Sequence, residues 1–360
     1  MSQKRFLVTG GCGFVGRHLI ARLAQDEPDE IWIVDDLSTG LHPERWELPV
    51  VEQVAEIRPG LADIRIAGTE TRIIYLQTDF LALALSELGR VGDTGFPRLP
   101  HFDEVYHLAS VVGGRNVIDN DPLAVGIDLA IDSAFFLWAA KVARPERILY
   151  ASSSAAYPIH QQTFAAAVPL QEAMIDFQDV IGKPDYTYGW SKLTGEYLSR
   201  IAVEKYGLNV GVVRPFSGYG EDQEPVYPFP AIALRVAARR DPVIVWGSGE
   251  QSRDFVHIDD AVEACTRACR RITDGSAVNI GHGRPVTFLE LARLMVQVEG
   301  YAATVKGRTD RPVGVSARFA DTNRMRAVLD WMPVIALEDG IARGLAFARR
   351  RLACGVQPEE

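Results

Sequence analysis

A tyrosine and a lysine four residues apart are the first residues of this sequence that could carry out a reaction. Tyr188 and Lys192 would lie one turn apart on the same face of a helix. The lysine ammonium would favour the phenolate form of the tyrosine, and a phenolate can accept a proton as a general base. Such pairs are also common on helix surfaces, so a further partner is needed before the pair indicates a site.

Three consecutive serines supply candidates for that partner. Ser152, Ser153 and Ser154 follow an apolar run that is typical of a β-strand. Open α/β sheets bind ligands at the edge formed by the carboxyl ends of their strands. Hydroxyl groups at that edge could hydrogen-bond an oxygen that loses or gains a proton. We therefore predict an active site that combines these serines with the tyrosine and the lysine.

A glycine-rich turn indicates the cofactor of such a site. Its glycines are spaced by three residues, directly after the first apolar strand and before an amphipathic helix. This pattern lets the backbone turn tightly and approach a pyrophosphate, and the amides of the following helix favour a negative charge. The predicted cofactor contacts in the turn are Gly10, Gly13, Phe14, Val15 and Gly16.

An acidic pair at the end of the second strand indicates which dinucleotide binds. Asp35, followed by Asp36, stands about 20 residues beyond the glycines, where a carboxylate can accept hydrogen bonds from the adenosine ribose. The same carboxylate would repel the 2′-phosphate of NADP, and no arginine follows at once. The sequence therefore favours NAD. A solvated aspartate at a strand end is the alternative interpretation.

Two later strand ends would complete the cofactor pocket. The candidate contacts there are Asp79 and Phe80 for the adenine, and Leu108, Ala109 and Ser110 for the pyrophosphate. His107 stands in an apolar run, so we interpret it as a core or backbone-bonded histidine rather than a catalytic one.

The elements that must position these groups alternate along the chain. The sequence predicts strands at Arg5–Thr9, Ile31–Asp35, Arg72–Gln77, Glu104–Ala109, Arg147–Ser152 and Val210–Pro215, and helices at Gly13–Gln25, Ala124–Val142 and Tyr188–Tyr206. Continuous apolar strands between helices predict an α/β fold with a Rossmann-type doubly wound parallel sheet. The alternation of strands and helices is interrupted at about residues 41–71 and 83–102, and we interpret these two segments as surface insertions.

The chain is predicted to divide into two parts. Residues 1–182 would form an NAD-binding Rossmann domain, to which the chain returns near residues 207–216 and 254–281. Residues 183–360 would form mainly a smaller C-terminal lobe that binds the substrate, because proline-rich segments replace the strand rhythm there.

Composition and charge exclude several classes of protein. The net charge of −9 leaves no general basic field, so nucleic acid is not an expected partner. No apolar run approaches the roughly 20 residues of a membrane-spanning helix and no signal peptide opens the sequence, so we expect a cytoplasmic protein without a membrane partner. The four cysteines show neither a disulfide framework nor the ligand spacing of a metal site.

Several motifs, taken in order, resemble those of the extended short-chain dehydrogenase/reductases of the NAD-dependent nucleotide-sugar epimerase and dehydratase family. The resemblance runs from Phe6 to about Ala348. Its motifs are the Gly10–Gly16 turn, Val34–Ser38, the serine-rich strand end, Tyr188 with Lys192, Arg214–Phe216 and Gly247–Phe255.

The resemblance implies a role for each catalytic candidate. Tyr188 would remove the proton of a sugar hydroxyl, Lys192 would hold the nicotinamide ribose, and Ser153 would hydrogen-bond the reacting oxygen. The implied substrate is a nucleotide sugar. Helices corresponding to Ala124–Val142 and Tyr188–Tyr206 pair as a four-helix bundle in members of the family, so a homodimer is expected.

Residues just after the catalytic serine separate reaction types in this family. Dehydratases carry an Asp-Glu pair where this chain has Ser154 and Ala155. Their glutamate would remove the proton next to the new ketone, and an alanine cannot. This departure argues against 4,6-dehydration, and the missing glutamate argues against decarboxylation as well.

The segment His107–Arg115 most resembles the GDP-mannose 3,5-epimerases. The same likeness is found at Tyr157–Pro158 and Trp246–Gly249. Those enzymes need a cysteine where Ala155 stands and a lysine near Pro228, and this chain has neither. The resemblance therefore favours a GDP-sugar but not 3,5-epimerisation.

The groups that remain support hydride removal at C4 of the sugar and its return. We expect C4 epimerisation of an NDP-hexose through a transient 4-keto sugar. The alternatives are a one-way C4 dehydrogenase or ketoreductase, and a 3,5-epimerase-like enzyme with different bases. A non-catalytic nucleotide sensor fits less well, because both Tyr188 and Lys192 are present.

Guanidinium groups are the expected partners of the substrate diphosphate, because they bind phosphate oxygens bidentately. The predicted substrate contacts are Gly113, Gly114, Arg115, Ser154, Ser217, Arg253 and Arg318. Arg214 could face the substrate or hold the two lobes together. Ser217 stands where members of the family usually have an asparagine, and its hydroxyl group has a shorter reach toward the substrate than an amide. For residues 113–115, an ordinary flexible turn is the alternative interpretation.

Overall fold

Strands of the described residues form one large sheet and three small ones. The computed structural model describes residues 3–93, 95–111, 120–310 and 314–358. In chain order, the strands are β1 (Arg5–Thr9), β2 (Glu30–Asp35), β3 (Val51–Arg58), β4 (Leu61–Ile66), β5 (Arg72–Gln77), β6 (Glu104–His107), β7 (Arg147–Ala151), β8 (Val210–Pro215), β9 (Ser217–Tyr219), β10 (Val243–Trp246), β11 (Ser252–Arg253), β12 (Phe255–His257), β13 (Asp274–Ile280), β14 (Val286–Thr287), β15 (Val305–Arg308) and β16 (Ala317–Arg318). All six predicted strands are present, with ends that differ by at most two residues.

The order of the strands in the large sheet reverses at β1. The order is β13-β8-β7-β6-β1-β2-β5-β4-β3. β1 pairs in parallel with β2 on one side and with β6 on the other, so that Thr9 is aligned with Val34 and with His107. Ligands of open α/β sheets bind at such a point of reversal, outside the carboxyl ends of the strands. The predicted Rossmann-type sheet is confirmed, and the predicted strand ends converge at one edge.

Helices cover both faces of the large sheet. The helices are α1 (Phe14–Ala24), α2 (Phe80–Glu87), α3 (Pro122–Val125), α4 (Asp128–Trp138), α5 (Tyr186–Tyr206), α6 (Pro228–Ala237), α7 (Ile258–Arg271), α8 (Phe288–Glu299), α9 (Asn323–Leu329) and α10 (Leu337–Ala353). α1 and α7 pack on one face, where Cys265 and Cys269 lie in the core, and α2, α4 and α5 pack on the other. Because both faces are covered, the strands are apolar at successive positions: Phe6, Leu7 and Val8 are all fully buried.

The first predicted insertion contains two strands that the sequence analysis missed. β3 and β4 form an antiparallel hairpin that extends the sheet beyond β5, with Leu61 opposite Leu76. β3 is the edge strand and most of its residues are exposed, so it lacks the continuous apolar run of the buried strands. Its charged residues, among them Glu52 and Glu56, discourage pairing with a further strand.

A second core belongs to the C-terminal part of the chain. α6, α8 and α10 pack around it together with β10, which pairs in parallel with β15. Phe229, Leu291 and Leu345 are buried at its centre. β11 pairs with β14 and β16, and β9 pairs with β12. The division of the chain into two domains, with the boundaries given above, stays a prediction.

One helical stretch is more apolar than the sequence analysis allowed. Pro122–Ala143 is long and apolar enough to cross a membrane by length and composition alone. Half of its 18 most apolar consecutive residues are buried inside the fold, where α4 packs against α2 and α5. Its buried residues include Asp128 and Asp132, which bond to groups of the sheet edge and of β7. Packing on the sheet therefore accounts for the apolar residues on the buried side of this stretch.

Candidate active site

In the glycine-rich turn after β1, the backbone lies in close contact with other backbone segments. Gly10 has φ of +71°, and a Cβ atom there would lie 2.7 Å from the Ala109 amide nitrogen. A Cβ atom on Gly16 would lie 2.5 Å from the Gly10 carbonyl oxygen. A Cβ atom on Gly13 would meet only that same oxygen, at 3.3 Å. Gly10 and Gly16 thus permit the turn itself, whereas Gly13 leaves open space that a ligand can reach.

The helix that follows the turn fits a dinucleotide pyrophosphate. Gly13 caps α1, whose first turn contains Phe14 and Val15 and no acidic residue. The first amides of a helix lack partners within the helix and carry a partial positive charge. An anionic diphosphate at this end would satisfy those donors, so the residues present fit NAD.

Asp35 braces the turn at the end of β2. Its Oδ2 atom accepts a hydrogen bond from the Cys12 amide, and its Oδ1 atom accepts one from the Leu37 amide, both at 2.8 Å. Burial raises the pKa of Asp35. Each carboxylate oxygen has lone pairs left for a ribose hydroxyl. The exposed Asp36 accepts a hydrogen bond from the Ser38 amide instead.

The residues after β5 have local structural roles. Asp79 caps α2, because its Oδ1 atom accepts a hydrogen bond from the Leu81 amide at 2.8 Å. The Phe80 ring is buried against Phe135 and Trp138, with ring centroids 5.9 and 5.7 Å away. The ring of Phe80 is therefore part of the core, and the contact of Asp79 and Phe80 with the adenine stays a prediction.

The residues after β6 contact the neighbouring strand and helix. The Ala109 amide donates to Thr9 Oγ1 at 3.3 Å, and Leu108 follows the last residue of the strand. The Ser110 hydroxyl donates to the Asp128 carboxylate at 2.6 Å. These residues line the switch point beside the glycine turn, and their contact with the pyrophosphate stays a prediction.

Ser153, Tyr188 and Lys192 come together at the carboxyl edge of the sheet. Ser153 follows β7 and begins a short 3-10 turn, and its Oγ atom accepts a hydrogen bond from the Ala155 amide at 3.1 Å. The first turn of α5 packs on this turn, because the Ala155 carbonyl would lie 2.5 Å from a Cβ atom at Gly189. Lys192 Nζ is 5.8 Å from the centre of the Tyr188 ring. The half-buried tyrosine is thus flanked by the predicted serine turn and by the predicted cation.

Lys192 is buried and still carries its charge. Burial opposes the ammonium form, but the nearby Asp132, Tyr188 and Asp128 outweigh burial and raise the pKa of Lys192. A charged lysine in this position stabilises a phenolate on the neighbouring tyrosine. The arrangement can therefore take a proton from a hydroxyl group and later return it.

Two predicted phosphate ligands are neighbours in the structure. Arg253 on β11 is aligned with Arg318 on the parallel strand β16. Arg318 also forms an ion pair with Asp185 at 3.0 Å and a hydrogen bond with Gln162 at 2.5 Å. Asp185 precedes α5, so this ion pair attaches the start of the catalytic helix to β16. Binding of a diphosphate by the two arginines stays a prediction.

Arg214 is a structural residue. It is 2% exposed and forms hydrogen bonds to both carboxylate oxygens of Glu196, at 2.8 and 2.6 Å. It also donates to the Tyr157 hydroxyl at 2.9 Å, and that hydroxyl donates to Asn279. Of the two roles that the sequence left open for Arg214, the structure favours holding parts of the fold together.

The remaining predicted substrate contacts differ in their burial, and three of them lie outside the described residues. Ser154 is buried in the 3-10 turn, and Ser217 is half-buried on β9 with its amide bonded to the Asp254 carbonyl. Gly113, Gly114 and Arg115 lie outside the described residues. Ala155, the residue that separates reaction types, is 3% exposed.

Three further residues near the site escaped the sequence analysis. Asp128 and Asp132 are buried one helical turn apart, close to Lys192, and a pair of aspartates in an otherwise apolar helix was the available signal. Tyr227 stands just before α6, and burial together with the charge of Tyr188 raises its pKa to about 12. No sequence signal distinguishes Tyr227, because its electrostatic interaction with Tyr188 joins residues that are far apart in the chain.

Comparison with known proteins agrees with this geometry. The chain is 25% identical over 352 residues to the UDP-glucose 4-epimerase of Mycolicibacterium smegmatis, which covers 96% of this chain and 99% of that protein. A protein of Oryza sativa subsp. japonica named as a GDP-L-fucose synthase 2 is 33% identical over 226 residues, or 59% of this chain and 61% of that protein.

The fold is shared with a solved structure. The crystal structure of the UDP-glucose 4-epimerase of Thermotoga maritima with UDP-glucose matches 97% of this chain and 99% of that chain, with a TM-score of 0.77 and 21% identity. At that identity the likeness shows the fold alone. Residues 6–281 match the family described as the NAD dependent epimerase/dehydratase family. The chain therefore belongs to this family, and it is an NAD-dependent nucleotide-sugar enzyme of the extended short-chain dehydrogenase/reductase type.

Proposed function

We propose that this protein is a 4-epimerase of a nucleoside-diphosphate hexose. The observation that carries this proposal is the pairing of Tyr188 with Lys192 beside Ser153, together with an alanine at position 155. Inversion at C4 needs a single base for the 4-hydroxyl proton. Reactions that also remove a proton from C3 or C5 need a second base, and Ala155 has no group that could serve.

The side chains have distinct tasks in this reaction. NAD, when bound, supplies the hydride acceptor and donor. Tyr188 takes the proton of the C4 hydroxyl and returns it after the sugar ring has presented its other face. Lys192 stabilises the phenolate and would hold the nicotinamide ribose. The Ser153 hydroxyl hydrogen-bonds the oxygen at C4 and so keeps it in line with Tyr188.

Guanine and uracil are the two candidate bases of the nucleotide sugar. The likeness of His107–Arg115 to GDP-mannose 3,5-epimerases favours a GDP-sugar, whereas the full-length relative named above acts on a UDP-sugar. We therefore place GDP-hexoses first among the substrates to test and UDP-hexoses second. Arg253 and Arg318 would meet the diphosphate that both share.

The reaction type can be tested by proton NMR in deuterium oxide with GDP-, UDP-, CDP- and dTDP-hexoses. We expect one of them to be inverted at C4, with no solvent deuterium at C3 or C5. Deuterium at either carbon would reveal a second base and overturn the assignment from Ala155. Net formation of NADH in proportion to product would instead indicate a one-way C4 dehydrogenase.

Replacing Asp35 by alanine is expected to narrow the preference for NAD over NADP. The change removes the ribose acceptor and the charge that repels a 2′-phosphate, and hydrogen bonds to charged groups are worth about 1.5 to 3 kcal/mol. NAD affinity should fall about tenfold or more, as measured by titration calorimetry. Glu52→Ala on the exposed edge strand is the matched control and should bind both cofactors normally. Equal affinities of the unmodified protein for NAD and NADP would contradict the role of Asp35.

We further propose that the protein is a homodimer built on α4 and α5. Trp190 and Tyr197 are seven residues apart on α5 and are 45% and 48% exposed, and Leu129 and Leu137 are exposed on α4. Large apolar side chains on two adjacent helices are typical of a helix-bundle interface. The double variant Trp190→Glu, Tyr197→Glu should sediment as a monomer, and Val298→Glu on α8 should not change the assembly. Monomers of the unmodified protein at micromolar concentration would contradict the proposal.

A further inference from the structure

Behind Lys192 lies a chain of buried polar side chains that the proposed reaction does not use. Asp132, on α4, is 1% exposed. Its Oδ2 atom accepts a hydrogen bond from the Tyr150 hydroxyl at 2.6 Å, and its Oδ1 atom is 3.2 Å from His107 Nε2. His107 Nδ1 is 2.7 Å from Thr9 Oγ1, which itself accepts from the Ala109 amide. The chain thus connects β1, β6, β7 and α4 directly beneath the switch point of the sheet.

The hydrogen bonds assign a proton to every member of this chain. His107 Nε2 faces the Asp132 carboxylate and donates to it, so Nδ1 of the neutral ring accepts from the Thr9 hydroxyl, whose oxygen accepts in turn from the Ala109 amide. Burial lowers the pKa of His107, which keeps its ring neutral. Its ring stacks on Phe135 with centroids 3.8 Å apart, which fixes its orientation. Asp132 therefore accepts two hydrogen bonds as a carboxylate.

Tyr150 connects this carboxylate to the catalytic lysine. Lys192 Nζ lies 5.5 Å from the centre of the Tyr150 ring, and the same ring carries the hydroxyl that bonds to Asp132. Gly195 on α5 makes room for that hydroxyl, because a Cβ atom there would collide with it. One aromatic side chain thus contacts the ammonium through its ring and the carboxylate through its hydroxyl group.

The other charged groups near Lys192 are already engaged. Asp128 accepts from the Ser110 hydroxyl and the Val111 amide, both at 2.6 Å, and burial raises its pKa. Glu196, one helical turn after Lys192, is paired with Arg214. Of these groups, Asp132 alone is joined by a hydrogen bond to a ring on which the ammonium lies. Burial and the charge of Tyr188 raise the pKa of Tyr227, so this second phenol also lies within electrostatic range of Tyr188.

We propose that Asp132 is a positioning residue that holds the Lys192 ammonium against Tyr188 through the Tyr150 ring, and that its negative charge opposes formation of the Tyr188 phenolate. This inference rests on the proposed role of Tyr188 as the base. The carboxylate and the ammonium act on the phenolate with opposite signs. The balance between them sets the pH at which the base becomes active, and neutralising Asp132 shifts that balance toward the phenolate.

The test is the pH titration of Tyr188 in the protein with NAD bound and no sugar present. Tyrosinate absorbance is recorded for the protein and for each variant, and the same measurement on the Tyr188→Phe background is subtracted. Asp132→Asn keeps the shape of the side chain, and its amide oxygen can still accept from the Tyr150 hydroxyl. Its NH2 group can donate to His107 Nε2 once the neutral ring carries its proton on Nδ1, where that proton is donated to Thr9 Oγ1. The midpoint should move about 0.5 to 1 pH unit lower, the size expected for removal of one charge in a partly buried site. The acid limb of kcat should move in the same direction.

Two further variants make the result decisive. Asp260→Asn neutralises another buried carboxylate, on α7, that accepts hydrogen bonds from the Val334 and Ile335 amides, so the midpoint of Tyr188 should stay unchanged. Tyr150→Phe removes one donor from Asp132 but leaves its charge, so the midpoint should not move lower. An unchanged or higher midpoint in Asp132→Asn would overturn the proposal, as would an equal downward shift in Tyr150→Phe. If Asp132→Asn does not fold, Asp132→Ser, a smaller neutral side chain that can still accept a hydrogen bond, should give the same downward shift, and an unchanged or higher midpoint in that variant would overturn the proposal.

The result is independent of the reaction assigned to the enzyme. No sugar is present during the titration, so a wrong choice of substrate or of reacting carbon does not affect the midpoint. Failure of the positioning role would leave the 4-epimerase assignment intact if inversion at C4 is still observed. Failure of that assignment would leave the titration interpretable, since Tyr188 and Lys192 remain adjacent whatever carbon reacts.

Discussion

Replacing Tyr188 by phenylalanine should lower kcat by about 100- to 10,000-fold, the usual effect of removing a general base. The phenol is needed in the transition state, when the proton leaves the sugar hydroxyl, and it has little part in ground-state binding. Affinities for NAD and for the sugar nucleotide should therefore stay within a few fold of those of the unmodified protein. Single-turnover kinetics and titration calorimetry measure the two quantities separately.

A neighbouring tyrosine provides the control for this variant. Tyr186 stands two residues earlier on the same helix and is about half exposed, so Tyr186→Phe should turn over normally. A Tyr188→Phe enzyme that retains more than a tenth of the original kcat would show that another group takes the proton. Tyr227 would then be the first candidate, because it lies near Tyr188 and before α6.

Replacing Arg214 by alanine should lower the free energy of unfolding by about 3 to 5 kcal/mol. The guanidinium is 2% exposed and binds both oxygens of Glu196, so its loss leaves a buried carboxylate without its cation. The Tyr157 hydroxyl and the Glu172 carbonyl also lose a donor. Urea denaturation followed by circular dichroism measures the change, provided that NAD is kept at a fixed concentration.

An exposed ion pair serves as the control for the effect of burial on the free energy of unfolding. Arg284 and Glu290 are 2.7 Å apart, but their side chains are 56% and 39% exposed. Arg284→Ala should cost no more than about 1 kcal/mol, because water already screens such a pair. If Arg214→Ala were as stable as Arg284→Ala, Glu196 would have to be protonated or solvated in the variant. The structural role of Arg214 would then be wrong.

The site was largely predictable where it depends on local sequence. The Gly10–Gly16 turn and the strand before it are read directly from residue types, because left-handed and close-packed backbone positions require glycine. The pairing of Tyr188 with Lys192 follows from helical periodicity. The serines at positions 152–154 were candidates because parallel strands present their carboxyl ends at one edge, and the family resemblance singled out Ser153 among them.

Residues whose role depends on distant parts of the chain were harder to assign. Arg214 and Phe80 both stand at the ends or edges of strands, where the sequence suggested ligand contacts. Arg214 is paired with a glutamate on α5, and the Phe80 ring packs on two aromatic residues of α4. The hairpin of β3 and β4 was missed because a half-exposed edge strand has no continuous apolar run.

The sequence by itself determined the class of sheet, the glycine-rich turn and the pairing of Tyr188 with Lys192 on one helical face, because each follows from residues close together in the chain. Tertiary structure alone decided what surrounds them. Asp132 lies beneath Tyr150 and His107 only because β6, β7 and α4 pack together, and Arg318 reaches Asp185 only because β16 approaches the start of α5. Periodicity assigns a side chain to a face of its own element, whereas its partner depends on which elements pack against that face.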